Sequence, residues 1–148
     1  DIQRSRGLGD VYKRQSIDFE KMITFDPYNS IALNAYGYSL SLHEKQLAYA
    51  EKLIRKAIDI DPGNPAILDS LAWVLYLDGS YKDAYEYASL AYIKDQDPEI
   101  VSHYYKILLK NGFKQKAKKV LEKSLMNNPE NDELLRLLDE NGDEAAQL

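Results

Sequence analysis

Apolar residues return at steps of three and four through the middle of the chain. Ile67, Leu68, Leu71, Val74 and Leu75 do so first, and Tyr81, Ala84, Ala88 and Ala91 follow after a short polar break. That period puts each set on one stripe of a helix, whereas a half-buried strand would alternate. The break, Asp78-Gly79-Ser80, predicts where one helix stops and the next begins. Glycine adopts the left-handed conformation that closes a helix, and serine can accept from the free N–H groups of the following first turn. Asn111-Gly112 is placed to do the same further on, and Asp61-Pro62-Gly63-Asn64-Pro65 breaks the chain, with Pro65 suited to a helical first turn.

This helix–turn–helix pattern recurs. Residues 30–64, 65–97 and 98–131 align as units of 35, 33 and 34 residues, each with two amphipathic stretches, a polar turn and an Asp/Asn/Pro terminator. A fixed period of this size marks a repeat array, in which no unit buries its apolar face alone. The flanks read as partial units. Residues 16–29 fit the second helix of a truncated repeat, with Ile17, Phe19, Met22 and Ile23 as an apolar edge for a preceding helix to cover. Residues 132–148 fit a capping helix and tail: Leu134, Leu135, Leu137 and Leu138 are flanked by acids, and fraying is expected from residue 141.

The spacing resembles the tetratricopeptide repeat, a pair of antiparallel helices recurring about every 34 residues. Positions the family keeps small, because its helices cross closely there, fall at Gly37, Ala72 and Tyr105 in the first helices. In the second helices they fall at Ala50, Ala84 and Ala117, then at Ala57, Ala91 and Ser124. The closing proline is met at Pro27, Pro62 and Pro129, whereas Gln96 replaces it in the middle unit. Tyr105 departs from the pattern too, so the third unit is expected to pack at a shifted angle. The resemblance implies an all-α fold, a right-handed α-solenoid of antiparallel helix pairs with a C-terminal capping helix. At a finer level LNAYGYSL, DPGNPAILDSLAWVLY and DPEIVSHYYKILLKNG resemble the C-terminal repeats of proteobacterial envelope-associated members, which often carry an insertion where this chain has residues 42–46. That likeness implies a bacterial origin and leaves the compartment open between periplasmic or envelope-associated and cytoplasmic.

Residues 1–15, DIQRSRGLGDVYKRQ, stand apart, with no helical stripe, no alternation and four of the nineteen basic residues. Residues 5–15 resemble the conceptual translation of a transposase-type sequencing adapter, residues 10–15 being its mosaic end. We read 1–15 as a non-native, disordered segment and exclude it from functional reasoning. The natural chain is then expected to extend upstream of residue 16. Residues 16–148 alone carry 15 basic and 22 acidic residues, against a net −5 for the whole chain.

Hydrophobic residues at 45% and charged residues at 29% are the balance of a folded chain and exclude wholesale disorder. No apolar run approaches the roughly 18 residues of a membrane-spanning helix. The acidic balance disfavours general nucleic-acid binding. Absence of cysteine excludes disulfides, thiolate metal sites and a cysteine nucleophile. The two histidines, His43 and His103, lie sixty residues apart, and neither belongs to a zinc-protease motif. Calcium-loop spacing and glycine-rich phosphate loops are lacking as well. The expectation is therefore no catalytic site, no cofactor and no metal. Residues 106–123 hold seven lysines against Glu122, while residues 130–148 hold seven acids against Arg136. We read the lysines as a solvated outer face partly neutralised by the acidic cap; contact with an anionic surface is the other reading.

In the family resembled, first helices line a concave groove in which ligands lie. Carried onto this chain, the groove positions are Asn34, Tyr38 and Ser41, then Asp69, Trp73 and Tyr76, then Ser102, His103, Lys106 and Lys110. The expected partner-binding residues are Asn34, Tyr38, Asp69, Trp73, Tyr76, His103, Lys106 and Lys110. Trp73 and Tyr76 offer large contact area with a polar handle, and the lysines attract acidic groups. The alternative for Trp73 and Tyr38 is packing between neighbouring helices. Some chaperone-binding members grip a C-terminal carboxylate with Lys, Asn and Arg at these places; Asp69 would repel one, so no such clamp is expected. The resulting expectation is a monomeric, non-catalytic protein–protein interaction scaffold, a fragment of a larger bacterial protein, binding a peptide or helix. An accessory or dimerisation segment of an enzyme encoded upstream is the alternative.

Overall fold

The computed structural model describes residues 2–42 and 46–146. Among them are eight helices and no strand: α1 (Ile2–Phe25), α2 (Ser30–Leu42), α3 (Leu47–Ile60), α4 (Pro65–Leu77), α5 (Tyr81–Lys94), α6 (Pro98–Lys110), α7 (Lys114–Asn127) and α8 (Asp132–Ala146). They fall into two compact units, Asp1–Pro62 and Gly63–Leu148. His43 and most of the turn insertion lie outside the described residues.

In the first unit α2 packs along α3 and α1 packs on α2. Asn29 starts α2 by accepting from the Ala32 N–H at 3.0 Å. Gly37 sets how closely α2 and α3 approach. A Cβ there would lie 2.6 Å from Ile54 Cγ1 and 3.0 Å from the Ala50 carbonyl oxygen. Residues 2–15, expected to be disordered, instead continue residues 16–25 as one helix. No proline interrupts this stretch, and its Arg, Gln, Lys and Leu favour the helix enough to carry Gly7 and Gly9. Of the expected apolar edge, Ile17 and Met22 are exposed. Phe19 and Ile23 are half-buried. Phe19 stacks on Tyr36 at 5.4 Å, which joins α1 to α2.

The second unit stacks the α4–α5 pair on the α6–α7 pair, and α8 closes it against α6 and α7. Each first helix opens on a side-chain cap at the predicted terminator. Asn64 accepts from Ala66 at 3.0 Å, Asp97 from Glu99 at 3.0 Å and Asn131 from Leu134 at 3.1 Å. Pro65 and Pro98 occupy first-turn positions where no N–H is needed. Gly79 and Gly112 take φ of 84° and 81°. Beyond them, Ser80 N–H donates to Leu75 O and Phe113 N–H to Leu108 O, both at 2.9 Å, which satisfies the last carbonyls of α4 and α6. Ser80 sits at the start of α5 as expected, but its side chain makes no capping hydrogen bond.

The small positions carry the helix crossings. Ala50, Ala57, Ala72, Ala84, Ala91 and Ala117 are wholly buried. Tyr105, at the equivalent position of α6, is buried as well. On α8 the leucines divide: Leu134 and Leu137 are buried, whereas Leu135 and Leu138 are exposed. The helix continues to Ala146, past residue 141 where fraying was expected.

Candidate functional site

The second unit brings six of the eight expected residues together on α4 and α6. Trp73 and Tyr76 lie one turn apart on α4, half-buried, with rings stacked at 4.8 Å and 18°. His103 of α6 stacks on Trp73 at 4.2 Å and 16°. One turn further along α6, Lys106 holds its Nζ 5.5 Å from the Trp73 ring centre. Lys110, the next turn on, stands the same 5.5 Å from Tyr81, which lies 5.7 Å from Tyr76. The result is a strip of rings, His103, Trp73, Tyr76 and Tyr81, edged by two ammonium groups.

Asp69 and His103 were expected to offer polar contacts to a partner; the structure commits them to each other. Both are buried, and the His103 Nδ1 lies 2.9 Å from each carboxylate oxygen of Asp69. Two acceptors flanking one nitrogen assign the proton to Nδ1, which donates to both. Burial raises the Asp69 carboxyl above its ordinary range, the His103 hydrogen bond opposes that, and Glu99 and Asp97 add to the rise. Ser102 beside them is fully buried, with no hydrogen-bond partner for its hydroxyl among the described residues.

Asn34 and Tyr38 lie on α2 of the first unit, both half-buried. The Asn34 Oδ1 is buried without a hydrogen-bond partner among the described residues. Ser41 is fully buried and donates to the Tyr38 carbonyl at 2.6 Å.

Three clusters were not legible from spacing. Tyr81 joins the ring strip because α5 begins beside the end of α6; its position at a helix start gave no sign of this. Glu20 accepts from the hydroxyls of Tyr36 and Tyr49, each at 2.9 Å. Burial, then the Glu20 hydrogen bond, pushes the Tyr36 phenol up to about 12. Lys116 donates to the Tyr85 hydroxyl at 3.1 Å, and that contact lowers the Tyr85 pKa. Tyr85 and Tyr92 both meet Tyr104, at 6.4 and 4.9 Å, so these second-helix tyrosines pack between repeats. The remaining α7 lysines, Lys114, Lys118, Lys119 and Lys123, are exposed. Among the described residues no three His, Asp or Glu side chains gather as metal ligands would. No helix there is long and apolar enough to cross a membrane.

No established family profile matches the chain. A tetratricopeptide repeat-containing protein of Pseudomonas aeruginosa is 38% identical over 86 residues, which is 58% of this chain and 15% of that protein. The chain thus spans a small part of the curated relative it matches. A tetratricopeptide repeat protein of Thermus thermophilus superposes with a TM-score of 0.74 at 17% identity, covering 88% of this chain and 73% of that one. PilW, described as a widely conserved type IV pilus biogenesis factor, superposes at 0.71 and 23% identity, covering 89% and 61%. The fold is that of tetratricopeptide-repeat proteins.

Proposed function

We propose that this tetratricopeptide-repeat array is a non-catalytic protein-interaction scaffold whose docking surface is the Trp73–Tyr76 ring strip. The observation that carries it is the pair of half-buried, mutually stacked rings beside two lysines that make no ion pair among the described residues. Stacked rings present apolar area whose shape is already set, so a partner side chain loses little freedom on docking there. Lys106 and Lys110, one turn apart on α6, favour a partner segment bearing carboxylates. Asp69, expected to contact the partner, acts from beneath by holding His103. Within the first unit, taken by itself, Asn34 and Tyr38 of α2 are proposed as partner contacts of their own. Likeness to a pilus biogenesis factor supports an envelope setting for this chain.

The test uses peptides selected from a random displayed library on the immobilised chain, then titrated against wild type and Trp73→Ala. Loss of an interface anchor costs about 2 kcal/mol or more, roughly thirtyfold in Kd. Equal affinity for a Trp73→Ala chain of unchanged helicity rules the strip out as the docking surface.

A further inference from the structure

The buried pair beneath the strip has a geometry that requires an ionised Asp69 and a protonated His103 Nδ1, whether Nε2 is bare or protonated. His103 Nδ1 is 2.9 Å from both oxygens of Asp69. With Nδ1 protonated and the carboxylate ionised, one donor meets two acceptors. If Asp69 takes a proton, one of its oxygens becomes a hydroxyl donor aimed at the Nδ1–H. If a protonated Asp69 instead donates to a bare Nδ1, the second oxygen's lone pairs face the nitrogen's own. Either way the carboxyl and the imidazole must turn relative to each other. The imidazole cannot turn alone, because it stacks on Trp73 at 4.2 Å and Trp73 stacks on Tyr76 at 4.8 Å.

We propose that Asp69 and His103 form a proton-gated seat for the Trp73–Tyr76 stack: an ionised Asp69 holds the rings in the docking geometry, and its protonation in mild acid releases them and weakens partner binding. The gating of binding rests on the docking reading above. The charges around the seat act in concert. From the start of α6, Asp97 and Glu99 add negative potential at Asp69. Lys106, one turn beyond His103, adds positive charge over Trp73. From α8 the buried residues are Leu134 and Leu137; Glu133 is half-buried, and Arg136 and Glu140 are exposed. From α5, Tyr85 and Tyr92 turn to Tyr104. Lys116 of α7 is taken up by Tyr85. Asp69 is the one buried carboxylate among the described residues. Burial raises the Asp69 carboxyl, so its proton arrives at milder acidity than for an exposed aspartate.

Trp73 is the single tryptophan, so intrinsic emission of the full chain reads the stack directly. The experiment follows that emission between about pH 4 and pH 9, the span in which carboxylates and imidazoles titrate, with circular dichroism at each point. The expected result is a reversible emission change on acidification at constant helicity. Asp69→Asn, whose amide oxygen still accepts from Nδ1 but does not titrate, loses that change. His103→Gln loses it as well, and decides the matter if Asp69→Asn is misfolded. A flat wild-type trace overturns the seat, as does a change that the variants retain or one that only tracks loss of helicity. No partner is needed, so a flat trace sinks the seat alone, while Trp73→Ala binding as tightly as wild type sinks the docking reading alone.

Discussion

Gly37→Ala sets two opposed effects against each other within one helix. Alanine is the better helix former by about 0.8–1.0 kcal/mol, so an open site on α2 would gain stability. At Gly37 the new Cβ would stand 2.6 Å from Ile54 Cγ1, 3.1 Å from its Cδ1 and 3.0 Å from the Ala50 carbonyl oxygen. Ile54 and Ala50 are wholly buried, and the carbonyl belongs to the α3 backbone, so relief requires α2 and α3 to move apart. Overpacking of this kind costs about 1–3 kcal/mol, and contact with backbone puts it in the upper part of that range. The net expectation is a loss of about 1–2 kcal/mol, at roughly 2–4 °C in Tm per kcal/mol for a chain of this size. Thermal and urea melts followed by circular dichroism measure it. In an Ile54→Ala background the nearest clash is gone, so the same substitution is expected to cost less by about 1 kcal/mol. Gly37→Ala as stable as wild type, or equally costly in both backgrounds, would refute the account of how the first pair is spaced.

The closing glycines make a contrasting case. A Cβ on Gly112 would meet nothing within 4 Å, so Gly112→Ala loses only what its φ of 81° demands, about 1–2 kcal/mol, and Gly112→Asn less; equal melting of all three chains would contradict this. At Asp69 the sign follows from its raised pKa: the folded state holds the proton more tightly than the unfolded one, so this carboxyl's contribution falls as pH rises from its ordinary value of 3.8 through the raised one. Urea melts across that window should show Asp69→Asn gaining on wild type as pH rises, and a constant difference would argue against the shift. Amidating the C-terminus of a peptide that binds the array should not weaken its affinity, since Asp69, where a clamp would offer a donor, is an acceptor already taken up by His103; a marked loss in a titration would reveal a clamp after all.

Helix periodicity, the turn glycines and the terminators were readable along the chain because each reports a local requirement. Asn64 and Asp97 cap because they precede a first turn, and Gly79 and Gly112 are left-handed because a helix must end there. The small positions were readable through the repeat, since Ala50, Ala84 and Ala117 meet the same crossing. Helix α1 was misjudged from Ile2 to Gln15: the absence of an apolar stripe argued against burial, but an unburied stretch without proline is still free to be helical.

What spacing alone determined is the array of helix pairs and which face of α4 carries Trp73 and Tyr76, because a helix turns by a constant angle per residue. Only the tertiary structure decided what those faces meet. It joined Asp69 to His103 across 34 residues, laid the imidazole on Trp73 and brought Tyr81 to Lys110. Such contacts depend on how far two helices stand apart and which rotamers fill the gap, and neither quantity is written in the period of a single helix.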